Sequence, residues 1–330
     1  MPLPSCDYRF AYGFHIASDL ELPELPASDP RDNPDVSIEV GATLLRSEVK
    51  RLITPESPIK NALVFEDGYC QILFTEVGRF TVRGGSHILI EPLEGVSPSA
   101  LRLPLLGSIL AMLLEQRSLL ALHAGCVEMT GPTGNLIACA FAGDKGQGKS
   151  TLGAALSVAG FPLFCDDVLG LTLPSNRSES PVALLGFGSI KLIPDAVSAV
   201  LSVDPEELPL VAPELSQDSD YNKRQFLAPV ANSERPLRHV FLLASHEDAD
   251  LDDITLRALA PQEALMLLIT HTFAARWGEL YLKGAARNAH FKACAQIVAS
   301  CHVWELSRRR DLKLLPKTIE LIATTAREVL

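Results

Sequence analysis

The stretch "GDKGQGKS", residues 143–150, constrains this chain more than any other part of it. It fits G-x-x-x-x-G-K-[ST], a loop whose glycines let successive backbone N–H groups turn inward around phosphate. At average residue usage such a match arises by chance in roughly 1 in 100 chains of this length, so the flanks decide. Before it, "LIACAFAG" (136–143) is an apolar run of strand length. After it, "STLGAALSVAGF" (150–161) has helical spacing, with Leu152, Ala155, Leu156 and Ala159 on one stripe and Gly160 suited to its end. A buried strand, a tight loop and a helix whose N-terminus meets an anion belong to an α/β nucleotide core. The glycine order is G-x-x-G-x-G, which departs from the dinucleotide fingerprint.

On this reading Gly143, Asp144, Lys145, Gly146, Gln147, Gly148, Lys149, Ser150 and Thr151 form the phosphate cradle. Lys149 reaches the β- and γ-phosphates of ATP, and Ser150 lends its hydroxyl to Mg2+. The next acids lie in "PLFCDDVLGLTL" (162–173), where Asp166 and Asp167 interrupt a strand. Adjacent carboxylates on an apolar strand are unfavourable unless they hold a cation or a proton. Side chains alternate along a strand, so one acid can serve Mg2+ while its neighbour faces a hydroxyl acceptor as general base. His123, in the apolar run "LLALHAGCVEM" (119–129), is a third candidate, placed to pair beside the loop strand and tune the acids. Read alone, a histidine in such a run is more often a hydrogen-bonded core residue.

The rest of the chain sets the frame. At 330 residues it exceeds the size at which single cores stop growing. Residues 1–100 read as a strand-rich antiparallel module, with "EDG" (66–68) and "RGG" (83–85) as hairpin turns and "ASDLELPELP" (17–26) as a stiff connector. Residues 101–330 alternate strands and helices, including helices near 102–116, 261–300 and 314–328 and strands at 184–194, 237–245 and 302–307. Residues 195–235 read as one short helix and a mobile loop, in which Lys223 and Arg224 form a basic pair able to close over the γ-phosphate. A solvated basic turn is the other reading of that pair.

Net charge is −11, with no basic face, which argues against nucleic acid as partner. The acidic run "SHEDADLDDI" (245–254) reads as a solvated loop. The apolar stretch 103–114 is too short to span a bilayer, and no signal pattern opens the chain, so no membrane partner is expected. Seven cysteines without a C-x-x-C pair suggest reduced thiols and a cytoplasmic protein. Cys294, Cys301 and His302 do not have the spacing of a standard zinc site.

"LHAG", "AGDKGQGKSTLGAAL" and "AGFPLFCDDVLGL" together resemble the catalytic core of HPr serine kinase/phosphorylase and its smaller relatives, over about 119–195. More weakly, "YGFHIASDLELPELP" resembles the opening of HPr-kinase-like proteins encoded beside ribosomally made peptides, lasso peptides among them. The resemblance implies an α/β P-loop kinase core of the HPr kinase/PEP carboxykinase type behind a strand-rich module. It implies Asp166 as proton acceptor, His123 as its partner, Lys149 on the phosphates and Ser150 on Mg2+; Asp167 then joins Ser150 at the metal. A serine-bearing peptide or protein is the acceptor implied, and the oligomeric state stays open, a homo-oligomer included. The chain departs from the pattern where a further metal-binding Glu is expected: "GFGSIKLIP" (186–194) offers Ser189 and Lys191. That departure argues against HPr itself as substrate and against phosphorolysis. Two rivals remain, a small-molecule kinase of the same fold and a nucleotide-gated binding protein that transfers nothing.

Overall fold

The computed structural model describes residues 6–45, 47, 63–176, 179–213, 222–246 and 253–329. The N-terminal strands β1 (Asp7–Ala11), β2 (Phe14–Ser18), β3 (Val36–Val40), β4 (Leu63–Glu66), β5 (Tyr69–Phe74), β6 (Gly78–Arg83) and β7 (His87–Pro92) form one sheet in the order β1-β2-β3-β7-β6-β5-β4. The two hairpin turns fall where the sequence puts them, with Gly68, Gly84 and Gly85 all at positive φ. The sheet is mixed rather than antiparallel, because β3 runs parallel to both β2 and β7. Period-two alternation marks a half-buried strand but carries no direction, and the long connector after β2 lets the chain return in parallel.

Against this sheet packs a helical segment, α1 (Pro98–Pro104), a π-helical turn (Leu105–Ile109) and α2 (Leu110–Gln116). Ser97 caps its start, and Pro104, lacking an N–H, precedes the widened turn. By length and composition this 19-residue helix could cross a membrane, yet two thirds of it is buried inside the fold. Leu101, Leu105 and Ile109 share one apolar cluster with Ile38, Phe80 and Ile88 of the sheet and with Val168 and Phe273 beyond it.

The second sheet contains β8 (Leu120–Leu122), β9 (Ala124–Thr130), β10 (Leu136–Ala142), β11 (Leu163–Cys165), β12 (Leu169–Thr172), β13 (Val182–Ala183), β16 (Arg235–Ser245), β17 (Ile254–Ala258) and β18 (His302–Arg308). Strands β10, β16 and β18 run parallel at its centre. A separate ribbon pairs β14 (Ser189–Leu192) with β15 (Arg224–Leu227). Helices α3 (Lys149–Val158) and α8 (Leu315–Glu328) cover one face, where Leu152, Leu156 and Ile322 meet Phe141 and Phe241. Helices α5 (Pro261–Thr270) and α7 (Gly284–Ser300) cover the other, with Leu268 and Ile297 on Ala140 and Val240. Two further helices, α4 (Pro194–Leu201) and α6 (Phe273–Trp277), complete the set used below. The architecture is α/β.

Two breaks in this sheet create the site. The run 119–129 is not one strand but two, β8 and β9, with His123 between them. The run 162–173 is likewise β11 and β12, with Asp166 and Asp167 between them. Because β9 pairs β11 while β8 pairs β12, the two breaks lie side by side. The expected strand at 184–194 is shorter, with only β14 at 189–192 in strand and β13 lying just before it. Residues 214–221 and 247–252 lie outside the described residues, so the loop expected there and most of the acidic run are not described.

Candidate active site

The loop leaves β10 at Gly143, which must approach β16 closely: a Cβ there would stand 3.0 Å from the Leu243 carbonyl oxygen. Asp144, Lys145 and Gly146 are exposed, and Gln147 and Gly148 are half-buried. Gly146 (φ 89°) and Gly148 (φ 79°) adopt the left-handed conformation that side-chain-bearing residues avoid. Gly148 caps α3, so the helix N-terminus opens onto the loop. Lys149 is buried and folds back over the loop, its Nζ donating to the Gly143 carbonyl at 2.6 Å. Burial lowers its pKa, which the nearby acids counter. Ser150 and Thr151 follow on the first turn, half-buried.

Ser150 Oγ donates to Asp166 Oδ2 at 3.0 Å, and the backbone N–H of Lys191 donates to the same oxygen at 3.4 Å. The other oxygen, Asp166 Oδ1, is buried with no hydrogen-bond partner among the described residues. Asp166 is only 5% exposed. Burial, together with the charge of Asp167, pushes its carboxyl up to about 6, against Lys191 and Ser150, which favour the ion. Asp167 is in a different situation: its side chain is 32% exposed, with Oδ1 2.9 Å from His123 Nδ1 and Oδ2 3.9 Å from the Lys191 ammonium. The histidine contact is short but poorly aligned as a hydrogen bond. Burial opposes ionisation of Asp167, but His123, Lys191 and Arg276 outweigh it and hold the carboxyl well below the usual range. A Cβ on Gly107, in the π-helical turn, would lie 3.7 Å from Asp167 Oδ2, so this turn forms the wall beside that acid.

Two expected pairings are therefore reversed. His123 partners Asp167 rather than Asp166, and Ser150 partners Asp166 rather than Asp167. The reason is the paired strand breaks. Asp166 follows directly on β11 and turns toward α3, whereas Asp167 lies one residue nearer β12 and meets the break that carries His123. The basic pair lies apart from the loop in this structure. Arg224 is buried in β15, paired with Glu206 and donating to the Leu208 carbonyl at 3.2 Å. Among the described residues no hydrogen bond or ion pair joins Lys223 or Arg224 to the 143–151 loop. Arg224 opens β15 opposite Leu192 at the end of the β14–β15 ribbon.

The fold brings other cations to the site. Lys191, on β14, stands where a glutamate was expected and contacts both acids. Arg308, at the end of β18, donates to the Gln147 carbonyl at 3.3 Å, and a Cβ on Gly148 would be 2.8 Å from its Nη2. Arg276, on α6, adds positive charge that helps to keep Asp167 ionised. Of these only Lys191 had a sequence signal, a charge inside an apolar strand.

The arrangement fits a metal–nucleotide. Ser150 and the unpartnered Asp166 Oδ1 are oxygen donors suited to Mg2+, and the left-handed glycines with the helix terminus suit phosphate. Among the described residues no cluster of three or more His, Cys, Asp or Glu side chains could hold a metal by itself, so Mg2+ at this site would draw on the nucleotide phosphates as well. Cys301 donates to the Leu237 carbonyl, and Cys294 lies 3.8 Å from His290 Nε2. Neither a protein-family model nor a curated protein matches the chain. Among solved structures, one similar chain is the HPr(Ser) kinase/phosphatase from Coxiella burnetii, 15% identical, with a TM-score of 0.31 over 62% of this chain and 94% of that one.

Proposed function

We propose that this chain is a cytoplasmic kinase that transfers the γ-phosphoryl group of ATP to a serine hydroxyl of a peptide or protein. One observation carries the reading: beside the acid bound to Ser150 stands a second acid, Asp167, ionised, partly exposed and supported by His123. Nucleotide binding alone uses the first acid and has no need of the second.

Lys149 and the loop backbone bind the triphosphate, while Asp166 and Ser150 hold Mg2+, which when bound neutralises phosphate charge. Asp167 accepts a hydrogen bond from the acceptor hydroxyl and orients its oxygen toward the γ-phosphorus. As the new oxygen–phosphorus bond forms, the bond to the β–γ bridging oxygen breaks, ADP leaves with that electron pair, and the hydroxyl proton passes to Asp167. A strongly ionised carboxylate is a weak base. A loose transition state draws the proton off late, however, so orientation matters more than basicity. His123 fixes Asp167, and Gly107 leaves the acceptor room beside it.

The N-terminal sheet is proposed as the surface that recognises the acceptor, by pairing with an extended peptide. A photo-crosslinkable acceptor peptide should label residues 1–100; label confined to 101–330 removes this part. The binding-protein alternative draws support from Lys191, whose ammonium next to Asp167 restrains it as a base. The deciding assay uses ATP labelled at the γ-phosphate, Mg2+ and a panel of serine-bearing peptides. Label on serine, lost in Lys149→Ala and Asp167→Asn, supports the kinase. Label that stays on ATP while nucleotide binds supports the alternative.

A further inference from the structure

Arg276 sits on α6, a short helix whose position is fixed from beneath. The buried Thr272 caps it, accepting from the Ala275 N–H at 3.1 Å, and the same hydroxyl lies 2.9 Å from His290 Nε2. The segment just before α6 is tied to the strand break that carries His123. Leu122 bridges Thr272, and the His123 N–H donates to the His271 carbonyl at 2.7 Å. The Phe273 ring stands edge-on to the His123 imidazole, with centroids 5.4 Å apart, and the Arg276 guanidinium lies 5.6 Å from the centre of the same ring. One aromatic side chain thus positions both the partner of Asp167 and a guanidinium.

Arg276 is exposed, and among the described residues no carboxylate forms an ion pair with it. Its charge acts on Asp167, Lys149 and the imidazole of His271. It lowers the pKa of Asp167 along with His123 and Lys191, and it works against the charge on Lys149. Lys149, Lys191 and Arg276 thus set three positive charges about the adjacent pair Asp166 and Asp167. A guanidinium held by an aromatic ring, without a carboxylate and beside a phosphate cradle, is placed to receive a phosphate oxygen.

We propose that Arg276 is a catalytic arginine supplied in cis, contacting the γ-phosphate of the bound nucleoside triphosphate and neutralising charge as the phosphoryl group moves. The assignment rests on the phosphoryl-transfer reading above. Nothing in "THTFAARWG" (270–278) marks this arginine in the sequence; only the packing of α6 on the His123 break brings it to the site.

The test is a titration of the full chain with Mg·ATP and Mg·ADP, for the wild type, Arg276→Gln and Arg276→Lys. The wild type should prefer ATP. Arg276→Gln should lose ATP affinity by roughly 10- to 100-fold, with ADP affinity unchanged, and Arg276→Lys should recover part of the loss. Release or transfer of the γ-phosphate should fall by roughly 10³–10⁵-fold in Arg276→Gln. An unchanged ATP-to-ADP ratio in a wild type and variant that both bind overturns the arginine and leaves the kinase reading intact. Equal loss of both nucleotides in the variant also overturns it, since the contact is then not with the γ-phosphate. A wild type that binds neither nucleotide overturns both readings.

Discussion

At the scale of single residues the site depends on two neighbouring carboxylates held in opposite states. Asp166 is buried beside Asp167 and raised to about 6, above its ordinary 3.8. An acid raised on folding stabilises the fold when protonated, so its contribution is complete below about 4 and is lost as pH rises through about 6. Without metal, Asp166→Asn should therefore be more stable than the wild type at pH 7–8, by about 1–3 kcal/mol, with the gap closing toward pH 4. Thermal melts across pH read this directly, and a gap independent of pH contradicts it. The loop, both acids and His123 were legible in the sequence because spacing and isolated charges in apolar runs mark them. Their pairing was not, because it depends on which strand break meets which, and that is set by register between strands distant in sequence.

At the scale of elements, the loop strand and its helix are locked together by Phe141. On β9, Gly125 faces it in register, and a Cβ there would stand 2.1 Å from the Phe141 ring; on α3, a Cβ on Gly153 would lie 3.3 Å from the ring. The glycine in "LHAG" is thus a packing requirement set by a strand on the other side of a turn. Gly125→Ala should destabilise the chain by about 1–3 kcal/mol and weaken nucleotide binding through the shifted loop. Denaturant melts beside ATP titration check this, and an unperturbed midpoint contradicts it. Strand existence was readable from apolar runs, as at β10 and β18. The breaks at His123 and at Asp166–Asp167 and the mixed direction of the N-terminal sheet were not, since hydrophobic pattern records burial and not partner or direction. The burial of Arg224 was hidden for a related reason: it alternates inward in β15, where it pairs with Glu206.

At the scale of the molecule, the N-terminal sheet reaches the site. The β1–β2 turn places Tyr12 (φ 55°) and Gly13 (φ 81°) both left-handed, and the buried Tyr12 hydroxyl donates to the Val168 carbonyl, one residue past Asp167, at 2.8 Å. Tyr12→Phe should cost about 1–3 kcal/mol by leaving that carbonyl unsatisfied. It should also lower transfer more than nucleotide affinity, which paired melting and turnover measurements separate; full stability in the variant contradicts this coupling. The central claim, phosphoryl transfer in which Asp166 serves the metal and Asp167 the acceptor, is tested most directly by one comparison. Transfer of γ-label to a serine peptide is measured together with Mg·ATP affinity for the wild type, Asp166→Asn and Asp167→Asn. The account expects Asp166→Asn to lose Mg2+-dependent ATP binding. It expects Asp167→Asn to bind Mg·ATP normally and to transfer label roughly 10²–10⁴-fold more slowly. Normal transfer by Asp167→Asn, or loss of metal-dependent binding in that variant alone, contradicts it.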